Sequence, residues 1–357
     1  MRISVPGEPP MPSKRIIALD RDGRRSALRR LVYWPQGQPF GGTNDWQATK
    51  ERLRRTVARF PEVMIKVSGG GTTSSGVLRY MNYISRGGAL IVEDQAGERL
   101  DGQDSIRTAH ASWDLDLQRG HDRRNQALHQ SFNIIFSMPA TTDSDKMFAA
   151  VQAFAQQHFV RRQYIMALHT SETDPADSPP PHPHVHVVVR AEDNEGQRLY
   201  IRKATLRLWR ESFAAELRAC GIEANATSRA ERGVSLKGRG SAEYHIRERG
   251  EVSNVARRRF DEAASELRAG FTDAKPWEAA MAARRRSVLQ ELTDSAAVLH
   301  REGDIGLAEK VERFARDLPA LDSERRKIQR AIIEQVNARL QREPDKDPNP
   351  SQQQDSR

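Results

Sequence analysis

Apolar and polar positions along this chain follow two regimes. Between residues 63 and 190, short β-branched runs recur: Val63-Met64-Ile65-Lys66-Val67, Ala89-Leu90-Ile91-Val92, Ser131-Phe132-Asn133-Ile134-Ile135-Phe136-Ser137-Met138, Gln163-Tyr164-Ile165-Met166-Ala167-Leu168 and the run through His184-Val185-His186-Val187-Val188-Val189. Their length and composition predict strands. Helical spacing separates them. Val77 to Arg86 puts Val77, Met81 and Ile84 on one face with Tyr80 on its flank, and is closed by Gly87-Gly88. Thr142-Asp143-Ser144-Asp145 supplies capping residues for a helix through Phe148, Val151, Phe154 and Ala155. A third stripe, Leu206, Trp209, Phe213, Leu217 and Cys220, stops at Gly221, and Ile222 to Thr227 is expected to return as an edge strand. Residues 98–130 are polar and broken, anchored by Trp113, Leu115 and Leu117.

From Trp277 the pattern is purely helical, over 277–302, 304–317 and 321–340, with Gly303 and Pro319 as punctuation. Strands followed by helices predict an α+β fold: a central antiparallel sheet with helices on one side, then a C-terminal helical module. The domain plan is a basic N-terminal extension over 1–60, the α+β domain over 61–230, a basic linker over 231–275, the helical module over 276–341, and a disordered tail over 342–357. The module is a candidate contact for accessory proteins or secretion machinery, or a support packing on itself.

Charge narrows the partner. Lys and Arg number 57 against 48 Asp and Glu, a net charge of +9, which favours a polyanion. One cysteine, Cys220, excludes an internal disulfide framework and reads as a core residue. No run is long enough to span a membrane, and the N-terminus lacks the apolar core of a secretory signal, so a cytoplasmic location is expected.

The chemistry concentrates in Pro181-His182-Pro183-His184-Val185-His186-Val187-Val188-Val189. Period-two alternation from His182 separates an imidazole face from a valine face. Neighbouring same-face positions lie roughly 7 Å apart, so His184 and His186 can reach around one ion. A third ligand comes more readily from an antiparallel neighbour, and the strand ending at His169 reconnects through a Pro- and Asp-rich loop over 170–181. Neutral imidazoles in that arrangement bind a divalent metal and leave positions open for a substrate. On the helix 77–86, Tyr83 faces away from the apolar stripe, on the side of Arg79 and Arg86, which are suited to lower its pKa and grip phosphate. The loop Ser68-Gly69-Gly70-Gly71-Thr72-Thr73-Ser74-Ser75-Gly76 lacks the Walker A lysine pattern and is an ordinary connector or a weak phosphate loop.

These parts, in this order, resemble the relaxase or mobilisation nuclease family of conjugative plasmids, including the T-DNA border endonucleases. The resemblance covers roughly residues 60–235: Val-Met-Ile-Lys-Val-Ser-Gly-Gly, Asn82-Tyr83-Ile84-Ser85-Arg86-Gly87-Gly88, Ile134-Ile135-Phe136-Ser137-Met138-Pro139, His169 with Pro183-His184-Val185-His186, and Arg198-Leu199-Tyr200-Ile201-Arg202-Lys203. It implies an HUH-type endonuclease fold and a Mg2+- or Mn2+-dependent transesterification on single-stranded DNA at an origin of transfer. Tyr83 would be the nucleophile, with Tyr80 as the fallback. His169, His184 and His186 would hold the metal, and His182 would stand behind them. Ser137 and Arg86 would act beside the nick. Lys66, Arg79, Arg202 and Lys203 are the expected DNA contacts. Implied partners are relaxosome accessory proteins and a type IV secretion coupling protein.

One departure concerns the carboxylate that usually follows the first histidine closely. Here the run is His169-Thr170-Ser171-Glu172-Thr173-Asp174, so Asp174 and Glu172 are both candidates. Two other readings stand beside this one. Rolling-circle replication initiators use a similar histidine pair with a later tyrosine, here Tyr200 in a strand pattern or Tyr244. A non-catalytic DNA-binding scaffold would use the histidines for a closed structural metal site.

Overall fold

The computed structural model describes residues 45–115, 127–236, 238, 240–271 and 273–342. The arm over 1–44, Leu117 and the tail over 343–357 lie outside the described residues. Two compact units divide the chain: residues 50–227, and residues 1–49 together with 228–357.

The first unit is built on a six-stranded sheet. Its elements are α1 (Asp45–Val57), β1 (Met64–Gly69), α2 (Ser74–Ile84), a 3-10 turn (Arg86–Gly88), β2 (Val92–Asp94), β3 (Arg99–Leu100), α3 (Gly102–Ser112), β4 (Ser131–Ser137), α4 (Ser144–His158), β5 (Tyr164–His169), β6 (His184–Arg190) and α5 (Lys203–Ala219). The strand order is β1-β4-β6-β5-β2-β3, with every neighbouring pair antiparallel. This is the expected α+β class.

Strand alternation sorts the side chains into two layers. Ile65, Ile134, Phe136, Tyr164, Met166, Val185, Val187 and Val189 form one face, closed over by Met147, Val151 and Phe154 of α4 and Trp209, Phe213 and Leu217 of α5. Phe136 stands between Phe154 and Phe213, with ring centroids 4.9 and 5.1 Å away. Asp143 caps α4 through the amides of Asp145 and Lys146, both 3.1 Å away.

The other face is covered only in part. Val77, Met81 and Ile84 of α2 and Ile106 of α3 pack on Ile165, Ala167 and Val188. Helices therefore flank both sides, not one. The second layer was hidden because α3 is polar and buries Ile106 alone, so residues 102–112 lack a readable stripe.

Further segments add to or differ from the sequence pattern. β2 starts at Val92, not Ala89, because the 3-10 turn with Gly87 and Gly88 at positive φ extends the reversal as far as Ala89. Ile222 to Thr227 does not form a strand; a single bridge joins Asn225 to Glu62. The Gly loop packs against β4, with the Gly71 amide donating to Ser131 Oγ at 3.2 Å, and Thr73 caps α2. Residues 45–57, inside the expected basic extension, are helix α1.

The second unit is helical: α6 (Ser241–Glu248), α7 (Asn254–Arg268), α8 (Pro276–Arg301), α9 (Ile305–Arg316) and α10 (Glu324–Arg342). α8 and α9 pair through Leu292, Leu299, Leu307, Val311 and Phe314, and α7 lies against α10. The segment expected as a basic linker, 231–275, thus contains two helices. Its arginines mask them: α7 carries Arg257, Arg258 and Arg259 in succession around a small apolar face.

Candidate active site

Register brings the histidines together. His169, the last residue of β5, is paired directly with His184, the first of β6. His186 follows on the same face, opposite Ala167. Ring centroids are 5.1 Å apart for His169 and His184, 4.8 Å for His169 and His186, and 5.3 Å for His184 and His186. All three are buried, at 0, 7 and 3% exposure, and one ring nitrogen from each lies within 4.8 Å of the others.

Burial keeps these rings neutral. It pushes His184 down to about 4 and His186 down to about 3, and it lowers His169 as well. Their lone pairs are therefore available at neutral pH, as metal ligation requires. Hydrogen bonds select which nitrogen is free. His184 Nδ1 donates to the His182 carbonyl at 3.1 Å and His186 Nδ1 donates to Asn133 Oδ1 at 3.2 Å, leaving both Nε2 atoms. His169 lies between two acceptors, Asp174 Oδ2 at 2.8 Å from Nδ1 and the Ile84 carbonyl at 2.8 Å from Nε2, and its neutral ring donates its one proton to one of them. Ligation through His169 Nε2 would exchange the Ile84 bond for the cation. Three neutral imidazoles suit a divalent transition ion with positions left open.

Of the two candidate carboxylates, the structure sets Asp174 against the triad. Its side chain is fully buried, and Arg86 donates to both oxygens, Nε at 2.8 Å and Nη2 at 2.7 Å. That pairing holds the Asp174 carboxyl far below the usual range. Glu172 is exposed and stands apart; its amide donates to Thr170 Oγ1. His182 precedes β6 and meets His184 through its carbonyl; its imidazole is 5.6 Å from that ring. Pro183 intervenes, so the strand starts two residues later than simple alternation suggests.

Tyr83 sits in the last turn of α2, 52% exposed, with its ring edge-on to His186 at 5.6 Å. Tyr80 points elsewhere, its hydroxyl lying over Gly69, where a Cβ would come within 2.3 Å of it. Arg86 is 5.1 Å from the centre of the Tyr83 ring, but its fork of donors is directed at Asp174. Its backbone is in the left-handed region, φ 52°, a conformation that disfavours an arginine by about 1–2 kcal/mol.

The remaining candidates separate by strand row. Met64, Ser137, His184 and His169 are successive cross-strand partners, as are Lys66, Ile135, His186 and Ala167. Ser137 therefore adjoins the histidines, and Lys66 shares their face two strands out. Arg79 is exposed on α2. Arg202 and Lys203 are exposed at the start of α5, a helix that backs the opposite face. Asn133 was not anticipated. Its signal was an amide inside an otherwise apolar strand, a position that calls for a hydrogen-bond partner.

Residues 83–219 match the family model of the relaxase nuclease domain, MobA/VirD2-like. That matched segment is similar to the nuclease domain of the family. Among characterised proteins, the T-DNA border endonuclease VirD2 of Rhizobium radiobacter is 31% identical over 215 residues, covering 54% of this chain. The chain spans about half the length of that relative, 48%. A solved structure from "Molecular Basis of Vancomycin Resistance Transfer in Staphylococcus aureus" aligns at 11% identity and a TM-score of 0.28, over 47% of this chain and 99% of the other.

Proposed function

We propose that residues 50–227 form a metal-dependent relaxase domain that nicks single-stranded DNA at an origin of transfer, with Tyr83 as nucleophile. The observation that carries this reading is the exposed Tyr83 ring set against His186, one of three buried neutral imidazoles. Tyr83 Oη attacks the scissile phosphorus and gives up its proton. The bond from phosphorus to the 3′ oxygen breaks, and that oxygen takes up a proton as a free 3′-hydroxyl. The 5′ side stays on the protein as a phosphotyrosine, and because one phosphodiester replaces another, the 3′-hydroxyl can reverse the step without an energy cofactor.

His169, His184 and His186 would hold Mn2+ or Mg2+, with imidazole ligands favouring Mn2+. The bound ion supplies Lewis-acid stabilisation of a non-bridging phosphate oxygen. Asp174 and the His182 carbonyl would orient two of the ligands, and Ser137, paired with His184, would contact DNA beside them. Lys66 extends the same face towards the strand edge, where it meets a neighbouring phosphate. The C-terminal helices are candidates for relaxosome accessory proteins or a secretion coupling protein. No described helix is long and apolar enough to cross a membrane, and the proposed site of action is the cytoplasm.

Two observations disfavour the alternatives. A closed structural site uses four protein ligands, whereas the metal-holding group among the described residues has three. Of the later tyrosines, Tyr200 is in irregular chain before α5, in neither a helix nor a strand, and Tyr244 belongs to α6, outside the unit that carries the histidines.

Covalent capture tests the proposal. Single-stranded oligonucleotides tiling the origin region of the protein's own element, with Mn2+ or Mg2+, should give an SDS-resistant adduct with wild type and Tyr80→Phe, and none with Tyr83→Phe. No adduct on any oligonucleotide, despite bound metal and tight DNA binding, would replace the relaxase reading by the scaffold.

A further inference from the structure

We infer that Arg86 is a positioning residue: it clamps Asp174 against His169 and ties that pair to the end of the tyrosine helix, so nucleophile and metal ligands are held as one unit. This deepens the relaxase reading and rests on it for the role of Tyr83. The contacts close a ring. Arg86 Nη1 donates to the Tyr83 carbonyl at 3.3 Å, and Nε and Nη2 donate to the two Asp174 oxygens at 2.8 and 2.7 Å. Asp174 Oδ2 lies 2.8 Å from His169 Nδ1, and in the metal-free protein His169 Nε2 lies 2.8 Å from the carbonyl of Ile84, the residue after Tyr83; with a metal on Nε2 the Arg86 contacts to Tyr83 and Asp174 remain as the tie.

Each guanidinium nitrogen thus makes a contact within the protein, three of the five N–H donors in all, and the fork itself is turned to Asp174 rather than outward to a phosphate. The planar fork matters more than the charge. It spans both oxygens of a carboxylate whose side chain is fully buried, something a lysine ammonium cannot do. The left-handed backbone at Arg86, φ 52°, is what turns the side chain back over the helix end it has just left. Without Arg86, Asp174 would be a buried carboxylate lacking its bidentate partner, free to leave His169 for water.

Mn2+ calorimetry on the full chain without DNA reads the clamp directly. Arg86→Ala and Arg86→Lys should each weaken Mn2+ binding about 10–100-fold, and Arg86→Ala should add nothing in an Asp174→Ala background. Metal-free binding of single-stranded DNA should stay unchanged. Wild-type Mn2+ affinity in Arg86→Ala, full rescue by Arg86→Lys, or losses that add in the double variant would each overturn the clamp. Weaker metal-free DNA binding with normal Mn2+ affinity would assign Arg86 to phosphate instead. If Arg86→Ala does not fold, Arg86→Lys, which retains the charge, carries the same comparison. Because this readout needs no nicking, a Mn2+-affinity loss alongside no tyrosyl adduct in wild type would keep the clamp and reject the nuclease.

Discussion

Adjacent residues of β6 face two different environments. Val185, Val187 and Val189 enter a core sealed by α4 and α5, while His184 and His186 turn to a face that α2 and α3 cover only in part. Both sets are almost fully buried. The difference lies in what buries them: aromatic and aliphatic side chains on one side, and imidazoles, Asn133 and the strand ends on the other. One strand thus anchors the fold and presents the chemistry, because successive side chains must point in opposite directions. A one-residue slip in register would exchange the two sets and destroy both.

The largest break in this comparison comes from the sealed face. Phe136→Ala removes a ring packed between Phe154 and Phe213, and denaturant unfolding should show a loss of about 3–5 kcal/mol. Its strand neighbour Ile135 lies on the histidine face and is half-buried. A loss at Phe136 no larger than that of Ile135→Ala would mean that the helix-backed core is not the anchor.

Acid should break the other face. His184 and His186 take up protons only near pH 4 and 3 in the folded metal-free protein, whereas the unfolded chain does so near 6.5. Between those values the unfolded state binds more protons, so stability rises with pH and is lost on acidification. The slope is about 1.4 kcal/mol per histidine for each pH unit from roughly 6 to 4. Unfolding at pH 7, 6 and 5 should show it, and His186→Gln should reduce the slope by about one histidine's share. A flat profile would mean that the imidazoles are solvated rather than buried.

The smallest expected effect sharpens the boundary of the open face. Lys66 lies two strands, or roughly 10 Å, from His186 in the same row. Lys66→Ala should weaken single-stranded DNA binding uniformly across sequences and reduce the salt slope by about 0.7. An unchanged slope would confine the DNA path to the strands that carry the histidines.

Much of the sheet was legible because strand patterning is a property of neighbours. The five apolar runs, the two sides of β6 and the outward turn of Tyr83 all follow from periodicities of 2 and 3.6. The hairpin that sets His169 beside His184 was readable from two runs and an intervening Pro- and Asp-rich loop. Less was legible where composition hides the period. α3 and α7 are polar or arginine-rich helices that bury Ile106 and Ala263, and β2 is only three residues long. The start of β6 was misplaced at His182 because alternation continues through Pro183, whose ring blocks regular pairing.

What the sequence by itself determined is therefore local: which residues share a face, which loops can close, and that three histidines and a tyrosine belong to the polar side. Only the tertiary structure decided that Asp174 rather than Glu172 meets His169, that Arg86 is spent on Asp174, and that Asn133 faces His186. Arg86 and Asp174 are 88 positions apart, and no periodicity spans that separation. Their pairing follows from strand order, which brings the end of α2 over the end of β5, and from the cost of leaving a buried carboxylate without a partner.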